Sequence, residues 1–366
     1  MQFISNKQDL SQMIYIVQRA ISTKSPMPIL TGIKIEAYDG LLTVTATDLE
    51  MGIKYCMPAQ VLEEGAAVLP SKHTADLIRL LPDLPIVFKE DNDNSMTIRY
   101  GESETSVNCF PNEEYPEMEF PEQGKGFTIK ESDFESALRQ ILFAVATDDN
   151  RAASLTGAML SVEKESLEMV STDLHRLSWR RLPIENSDDE ENILIIPGKA
   201  LTELSKIIGK NDEEIKVNIN ENMVLFNLSN ISFMTRLMNG KFPKYKQVIP
   251  QKFKTRIRVK TKEMLEAAER ASLLNIEEKS SIKLVIGEGR MIISDTTSLG
   301  RIYEEIPVDL TGEEATIGFN AYYLIDLLKT IKREETEIDL DGPFSPGVFK
   351  PIGEKDCFSL ILPVRM

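Results

Sequence analysis

Three side chains that together could activate a nucleophile lie close in the sequence: Ser171, Asp173 and His175. In a Ser–His–Asp site the histidine takes the proton of the serine, and the carboxylate orients the histidine. The three residues alternate, so a β-strand would place them on one face. The base of such a site, however, lies between partners that come from separate segments. We therefore interpret them as an exposed strand end beside a domain junction, or as a docking surface. An acidic three-domain enzyme with a site at Asp173 and His175 stays an alternative.

Other catalytic and cofactor motifs are absent from the sequence, which contains no GxxxxGK[ST], GxGxxG or HExxH pattern. The two histidines, His73 and His175, are too few for a histidine metal site. The three cysteines form no CxxC pair, as is typical of a reducing cytoplasm. No apolar run reaches the roughly 18 residues that span a bilayer. We expect a cytoplasmic protein without metal, cofactor, membrane contact or catalysis.

A sequence pattern that occurs three times indicates how these residues are positioned. Residues 46–50 read ATDLE, residues 171–175 read STDLH, and residues 294–298 resemble both more weakly. A second pattern follows each of these segments, at residues 68–72, 195–199 and 317–320. The period of about 120 residues matches one domain and exceeds that of solenoid repeats. We predict three tandem copies of one domain, at residues 1–124, 125–250 and 251–366.

Each copy is predicted to be an α+β unit in which two helices lie over antiparallel sheet. The first helix of the first copy has apolar residues at helical spacing, as at Leu10, Met13 and Ile14. Residues 41–46 and 223–228 alternate or are rich in strand-forming residues, as half-buried strands are. The predicted order within a copy is strand, helix, several strands, second helix and further strands.

The second helix of each copy carries positive charge, although the chain as a whole has a net charge of −16. In a helix over residues 199–210, Lys199, Lys206 and Lys210 would share one stripe away from the apolar side chains. The other copies carry similar basic residues: Lys72 and Arg79 in the first, Lys329 and Arg333 in the third. Exposed helix faces often carry lysine and arginine, so an ordinary solvated surface explains the pattern as well as a shared face for a polyanion does.

The repeated patterns, the closing segment KFPKYKQVIP of the second copy and the terminal LPVRM resemble the bacterial DNA polymerase III beta subunit family, the β sliding clamps. The resemblance runs from residues 29–32 to the C-terminus. It implies three tandem clamp domains that form half of a closed ring, with two chains joined head to tail around duplex DNA. It implies no catalysis, because the ring only keeps a polymerase on its template.

The resemblance also implies a peptide-binding pocket between the second and third domains. An apolar cleft rimmed by His175, Arg176 and Arg365 would anchor aliphatic and aromatic side chains of a short peptide motif. By motif match, the pocket residues are Leu155, Thr172, Leu174, His175, Arg176, Leu177, Pro243, Val248, Leu362, Pro363, Val364, Arg365 and Met366.

DNA and a second chain are the other contacts that the resemblance implies. The DNA channel would contain the helix residues Lys72, Arg79, Lys199, Lys206, Lys210, Lys329 and Arg333 and the loop residues Lys24 and Arg151. The subunit interface would pair Leu273 and Leu274 with the strand around Val107 and Cys109.

The implied partners are duplex DNA without sequence preference, replicative and other DNA polymerases, a clamp loader, repair proteins with clamp-binding motifs and a second copy of the chain. Such a protein would be associated with the nucleoid. A scaffold that binds proteins and never encircles DNA is a further alternative.

Overall fold

A computed structural model describes residues 1–22, 27–91, 94–121, 125–147, 152–186, 191–209, 213–273 and 281–365. Within these residues the predicted order of elements is confirmed: each copy contains a strand, a helix, five strands, a second helix and three strands. The first copy comprises β1 (Gln2–Ser5), α1 (Lys7–Val17), β2 (Gly32–Tyr38), β3 (Leu41–Thr47), β4 (Met51–Pro58), β5 (Gln60–Glu63), β6 (Gly65–Pro70), α2 (Ser71–Leu80), β7 (Ile86–Asp91), β8 (Ser95–Tyr100) and β9 (Ser103–Asn108).

The other two copies repeat this arrangement. The second comprises β10 (Lys125–Lys130), α3 (Glu131–Leu142), β11 (Gly157–Val162), β12 (Ser166–Thr172), β13 (Arg176–Pro183), β14 (Glu185–Asn186), β15 (Asn192–Pro197), α4 (Gly198–Ser205), β16 (Glu214–Ile219), β17 (Met223–Leu228) and β18 (Ile231–Arg236). The third comprises β19 (Thr255–Lys260), α5 (Thr261–Ser272), β20 (Ser281–Gly287), β21 (Arg290–Thr297), β22 (Gly300–Pro307), β23 (Asp309–Gly312), β24 (Ala315–Asn320), α6 (Ala321–Thr330), β25 (Glu335–Leu340), β26 (Gly347–Pro351) and β27 (Cys357–Ile361).

The helices form where the apolar spacing and the capping residues predict them. In α1 the side chain of Asn6 accepts a hydrogen bond from the backbone N–H of Asp9 at 2.8 Å, which satisfies one free donor of the first turn. Leu10, Met13 and Ile14 are buried on one face of this helix. Asn320 caps α6 in the same way, through the N–H groups of the first helical turn.

The chain forms two compact units, which do not coincide with the repeats: residues 1–132 with 203–237, and residues 133–202 with 238–366. They cross the repeat boundaries because sheets join strands of neighbouring copies. In the first unit, one sheet has the order β5-β1-β7-β8-β9, and a second contains β10-β16-β17-β18-β4-β3-β2-β6. In the second unit the orders are β15-β11-β12-β13-β27-β26-β25-β19-β23 and β22-β21-β20-β24.

The structure corrects the position of the weak third copy of the first pattern. Leu49 and Leu174 each donate a backbone hydrogen bond to the hydroxyl of the threonine two residues earlier. In the third copy the same bond joins Leu299 to Thr297, which lies two residues later than the sequence comparison placed it. The third hairpin is also shorter, because Thr297 pairs directly with Gly300. The sequence comparison did not show this shift, because Ser298 follows Thr297 where an aspartate, Asp48 or Asp173, follows the threonine in the other two copies.

Candidate functional site

The segment after β12 is a hairpin turn and not a continuous strand, which corrects the expectation for residues 171–175. The Oδ1 atom of Asp173 accepts hydrogen bonds from the backbone N–H groups of His175 and Arg176, both at 2.9 Å. The Thr172 hydroxyl donates to the carbonyl of Arg176 at 2.7 Å and accepts from the N–H of Leu174 at 3.0 Å. These side-chain bonds replace strand pairing and fix a turn. Leu174 adopts a φ of 73° there, and its side chain is 53% exposed.

The turn also separates the three side chains that could have formed a nucleophilic site. Ser171 is buried, and its hydroxyl donates to the backbone carbonyl of Ile141. The carboxylate of Asp173 is occupied by backbone N–H groups and by the guanidinium of Arg176 at 3.1 Å. His175 is exposed, and its ring stacks on Tyr323 with 6.2 Å between ring centroids. This geometry does not form a serine relay.

Beside the turn lies a small apolar cleft of about 100 Å³. Its lining residues come from the β12–β13 hairpin, from the segment around the 3₁₀ turn Tyr245–Val248, and from the end of β27. They are Thr172, Leu174, His175, Arg176, Leu177, Pro243, Lys244, Tyr245, Val248, Leu360 and Leu362.

Eight of the predicted pocket residues line this cleft, namely Thr172, Leu174, His175, Arg176, Leu177, Pro243, Val248 and Leu362. Pro363, Val364 and Arg365 instead line an adjoining depression of about 230 Å³ that shares Leu362 with the cleft and contains Phe344, which is 80% exposed. Leu155 is buried in a 3₁₀ turn and is not part of the lining of either. Met366 lies outside the described residues.

Sequence analysis missed three lining residues: Lys244, Tyr245 and Leu360. Lys244 and Tyr245 belong to the KFPKYKQVIP segment, which also contains the predicted pocket residues Pro243 and Val248. Their position in this segment could therefore have identified them. Leu360 precedes Leu362 by two positions, and a strand places such residues on the same side.

The C-terminal segment is held beside the cleft by backbone hydrogen bonds. The N–H of Leu362 donates to the carbonyl of His175 at 2.8 Å, and the N–H of Val364 donates to the carbonyl of Gly318 at 2.8 Å. β27 also pairs with β13 along its length. The wall formed by Leu362 is therefore fixed to the same hairpin that presents Leu174.

Arg176 lines the cleft, and its positive charge is balanced within the chain. Its side chain is 11% exposed, and its guanidinium bonds Asp173 at 3.1 Å and Asp326 of α6 at 2.7 Å. The guanidinium carbon also lies 4.5 Å from the centroid of the Tyr323 ring and 5.4 Å from that of Phe143. With its charge balanced by two carboxylates, Arg176 positions the hairpin against α6.

The far side of the cleft rests on a cluster of aromatic residues. Tyr245 is buried, and burial together with the neighbouring Glu168 carboxylate raises the pKa of its phenol. Trp179 stacks on Phe358 with 5.2 Å between ring centroids, and its indole N–H donates to Glu168. Leu177 and Leu360 belong both to this cluster and to the cleft lining. The cleft floor is therefore part of a packed core.

The basic residues of the second helices lie at corresponding places, although α4 is shorter than predicted. Lys72 and Lys199 are each the second residue of their helix. α4 ends at Ser205, so Lys206 lies in the following turn, where its N–H bonds the carbonyl of Glu203. Such i→i−3 bonds tighten and end a helix.

Most of these cations already have carboxylate partners. Arg79 pairs with Asp76 at 3.3 Å and Lys206 with Glu203 at 2.7 Å. Further ion pairs join Lys329 to Glu269 at 2.9 Å and Arg333, which lies beyond α6, to Glu354 at 2.8 Å. Lys72 is exposed and has no ion-pair partner in the described ranges. Lys24, Arg151 and Lys210 lie outside the described residues.

The residues predicted at a subunit interface lie at the edge of one sheet and at the end of helix α5. Val107 belongs to β9, which is the outer strand of its sheet, and Cys109 follows that strand. Burial, with a contribution from Glu90, raises the pKa of the Cys109 thiol to about 11. Leu273 follows the last residue of α5 and is 77% exposed, whereas Leu274 lies outside the described residues.

The described part of the chain shows neither a metal-ligating cluster nor a membrane-spanning helix. Over these ranges, no three His, Cys, Asp or Glu side chains are grouped so that they could hold a metal ion. None of the described helices is both long and apolar enough to cross a membrane.

Comparison with known proteins places this geometry in a family. The models of the N-terminal, central and C-terminal domains of the DNA polymerase III beta subunit match residues 1–119, 128–244 and 246–365. The β sliding clamps of Halalkalibacterium halodurans and Bacillus subtilis are 35% and 33% identical to this chain, with 100% of this chain and of each relative covered.

Solved structures have the same fold. A DNA polymerase sliding clamp from Bacillus subtilis is similar with a TM-score of 0.95 at 33% identity, over 100% of this chain and 99% of that one. The beta subunit of a Streptococcus pyogenes DNA polymerase has a TM-score of 0.94 at 28% identity, with both chains covered completely. The chain therefore belongs to the DNA polymerase III beta subunit family, the β sliding clamps.

Proposed function

We propose that the chain is a DNA sliding clamp, which confers processivity on the replicative DNA polymerase and catalyses no reaction itself. In this proposal two chains close head to tail around duplex DNA, and partner proteins dock on the ring through short peptides. The observation that carries the proposal is the open apolar cleft at the β12–β13 hairpin, in a chain that matches the beta subunit family along its length.

The cleft is suited to aliphatic and aromatic peptide side chains. Leu174, Val248 and Leu362 are between 37% and 53% exposed, so a bound peptide would remove apolar surface from water at a gain of about 25 cal/mol per Å². The exposed ring of His175 on Tyr323 and the depression containing Arg365 offer polar contacts that set specificity. Replicative and other polymerases, a clamp loader and repair proteins would use this cleft in turn.

The basic residues fit weak contacts with the DNA backbone. Lys72, Arg79, Lys199, Lys206, Lys329 and Arg333, together with Lys24, Arg151 and Lys210, would meet phosphates and not base edges. Arg79, Lys206 and Lys329 are exposed and paired with carboxylates, so a phosphate contact at these three side chains would replace an existing ion pair. Binding of this kind is sequence-independent and sensitive to salt, which allows a closed ring to slide.

Two unpaired sheet edges support the two-chain ring. β9 ends one sheet of the first unit, and β22 ends the sheet β22-β21-β20-β24 of the second. A strand edge has free backbone donors and acceptors that pair readily with another edge. Exposed Leu273 at the end of α5, with Leu274, would cover Val107 and Cys109 of the other chain. Two such head-to-tail contacts close a ring.

Retention on circular DNA tests this function. Protein loaded on a nicked circle should remain bound during gel filtration and should dissociate when the circle is cut once, because only a ring escapes over ends. A scaffold that does not encircle DNA would show the same retention on the nicked circle and on the linear DNA. Sedimentation analysis at micromolar concentration should give the mass of two chains, and a monomer would contradict the ring.

A substitution separates the clamp from an enzyme with a site at Asp173 and His175. His175→Ala should weaken the binding of a polymerase-derived peptide while the mass of the ring stays unchanged. An enzyme would lose a catalytic turnover that the unsubstituted chain possesses.

A further inference from the structure

The hairpin of the first copy has the same construction as the one beside the cleft. The Thr47 hydroxyl donates to the Met51 carbonyl at 2.8 Å, and Asp48 accepts hydrogen bonds from two backbone N–H groups. Leu49 has a φ of 76°, close to the 73° of Leu174. These atoms match the second hairpin bond for bond.

The neighbouring strand is attached to both hairpins in the same way. The N–H of Arg236, at the end of β18, donates to the carbonyl of Glu50 at 2.9 Å. The N–H of Leu362, just after β27, makes the equivalent bond to His175 at 2.8 Å. β18 pairs with β4 as β27 pairs with β13. The backbone of the walls of a second cleft is therefore present in the first unit, with Arg236 in the place of Leu362 and Glu50 in the place of His175.

The floor of this first-copy cleft has a much smaller residue beside Thr47. Gly52 pairs with Thr47, where Leu177 pairs with Thr172 in the open cleft. A methyl group added at Gly52 would lie 2.5 Å from the Cε atom and 2.7 Å from the sulfur of Met118, and 3.5 Å from the ring of Phe120. Met118 thus occupies the space that a larger residue at Gly52 would fill.

The segment that fills this space packs against the sheet at several of its residues. Tyr115 is buried at one end of it, and its hydroxyl donates to the carbonyl of Thr45 at 3.4 Å. Met118 and Phe120 are half-buried, whereas Glu117 and Glu119 between and beside them are exposed. This alternation turns both apolar side chains towards the strands. The ammonium of Lys54, on β4, lies 4.7 Å from the centroid of the Phe120 ring.

The corresponding segment of the second copy leaves its cleft open. Val248 follows Tyr245 by three residues, as Met118 follows Tyr115. Val248 is 50% exposed and lines the open cleft, and its side chain is shorter than that of methionine. The difference between Leu177 and Gly52 in the floor and that between Val248 and Met118 in the covering segment account for the filled space.

We propose that the first-copy cleft is a second peptide site, which residues 117–120 of the chain itself occupy. The occupant shows which ligand the site accepts: a peptide with an aliphatic and an aromatic side chain two residues apart. The identification of this ligand class rests on the proposed peptide-binding function of the open cleft. Self-occupation closes the first-copy site, and displacement of the segment makes it available.

The proposal is tested by removing the side chains of Met118 and Phe120, which anchor the segment. The test uses a chain whose open cleft is blocked. The probe is a fluorescein-labelled peptide of residues 115–121, and Leu174→Asp blocks the open cleft. Adding Met118→Ala and Phe120→Ala to Leu174→Asp should give saturable binding of one peptide per chain by fluorescence anisotropy. Its affinity should exceed that of Leu174→Asp alone by about tenfold or more, as for recovery of a buried anchor.

Matched variants in the same background make the outcome decisive. Glu117→Ala with Glu119→Ala changes only the exposed side of the segment and should leave the site closed. Met118→Ala alone removes the anchor beside Gly52 and should open the site, even if the double alanine variant does not fold. Adding Gly52→Leu to Met118→Ala fills the space that the methionine of the probe needs and should abolish binding. Folded Met118→Ala or Met118→Ala/Phe120→Ala chains that bind no peptide, or that bind it equally well after Gly52→Leu is added, would overturn the proposal. Because the open cleft is blocked throughout, failure of its proposed function leaves this result interpretable.

Discussion

The open cleft of the second hairpin and the basic ends of the second helices hold their side chains by different means. The cleft is built from buried hydrogen bonds and a packed floor, in which Asp173 is 6% and Leu177 is 2% exposed. The basic side chains lie on the surface, where Lys329 is 56% and Arg79 is 70% exposed, and they pair with similarly exposed carboxylates. Exposed pairs of this kind contribute about 0–1 kcal/mol each.

Under the proposed function, the difference would correspond to two kinds of binding. Shape and desolvation would determine the affinity for a peptide in the cleft, so one altered side chain should have a large effect. Charge would determine the affinity of the helices for DNA, through many weak and interchangeable contacts. Substitutions in the cleft should therefore act strongly and locally, whereas those on the helices should act weakly and depend on salt.

The largest effect is expected for Leu174→Asp. Leu174 lines the cleft at a positive φ that aspartate tolerates better than leucine, so folding should be unaffected. A carboxylate in the apolar wall should weaken binding of a polymerase-derived peptide by about 30-fold or more, the usual cost of losing a central anchor. Isothermal titration calorimetry measures the change.

Leu49→Asp is the matched control for this substitution. Leu49 has nearly the same φ and is 40% exposed, but it belongs to the hairpin of the first copy. Its substitution should leave the affinity for the peptide unchanged. Equal losses for Leu49→Asp and Leu174→Asp would show that the second hairpin has no special role.

A smaller effect on binding, but a larger one on stability, is expected for Arg176→Ala. Removing the guanidinium leaves the buried carboxylate of Asp173 without its partner at 3.1 Å, which should lower the free energy of unfolding by about 1–3 kcal/mol. The peptide affinity should fall by less than in Leu174→Asp, because the cleft wall loosens but keeps its apolar surface. Denaturant unfolding and calorimetry on the same samples separate the two quantities.

Asp326→Asn serves as the control for Arg176→Ala. Asp326 is 49% exposed, so the loss of this ion pair should change the unfolding free energy by less than about 1 kcal/mol. If Asp326→Asn destabilised the chain as much as Arg176→Ala, the buried bond to Asp173 would not be the main support of the hairpin.

Local patterns predicted much of the fold, and their limits are visible at particular residues. The order of strands and helices followed from apolar spacing, because burial of one face determines each element. The turn at residues 173–175 was missed, because alternation in Ser171, Asp173 and His175 resembles a strand. Its geometry depends on Asp173 bonding the backbone N–H groups that follow it, and the apolar pattern does not record this.

The sequence also did not predict contacts between residues that are far apart along the chain. Arg176 was placed at the rim of the cleft, but its ion pair with Asp326, which lies 150 residues away, was not predicted. The pairing of Lys329 with Glu269 and of Arg333 with Glu354 was hidden for the same reason. Charge counted along a helix shows where cations lie, whereas the folded chain determines how much of that charge is already balanced.

The smallest effect is expected on the helices, for Lys72→Ala. Lys72 has no ion-pair partner in the part of the chain that the structure describes, so a phosphate contact there releases a counterion without breaking a bond in the protein. The plot of log affinity for a short duplex against log salt should become shallower by about 0.9 for each phosphate that the variant no longer neutralises. Lys329→Ala should change the slope less, because Glu269 already holds that ammonium at 2.9 Å. Fluorescence anisotropy between low and physiological salt measures both slopes. A larger change in slope for Lys329→Ala than for Lys72→Ala would mean that ion pairs within the chain do not weaken its contacts with DNA phosphates.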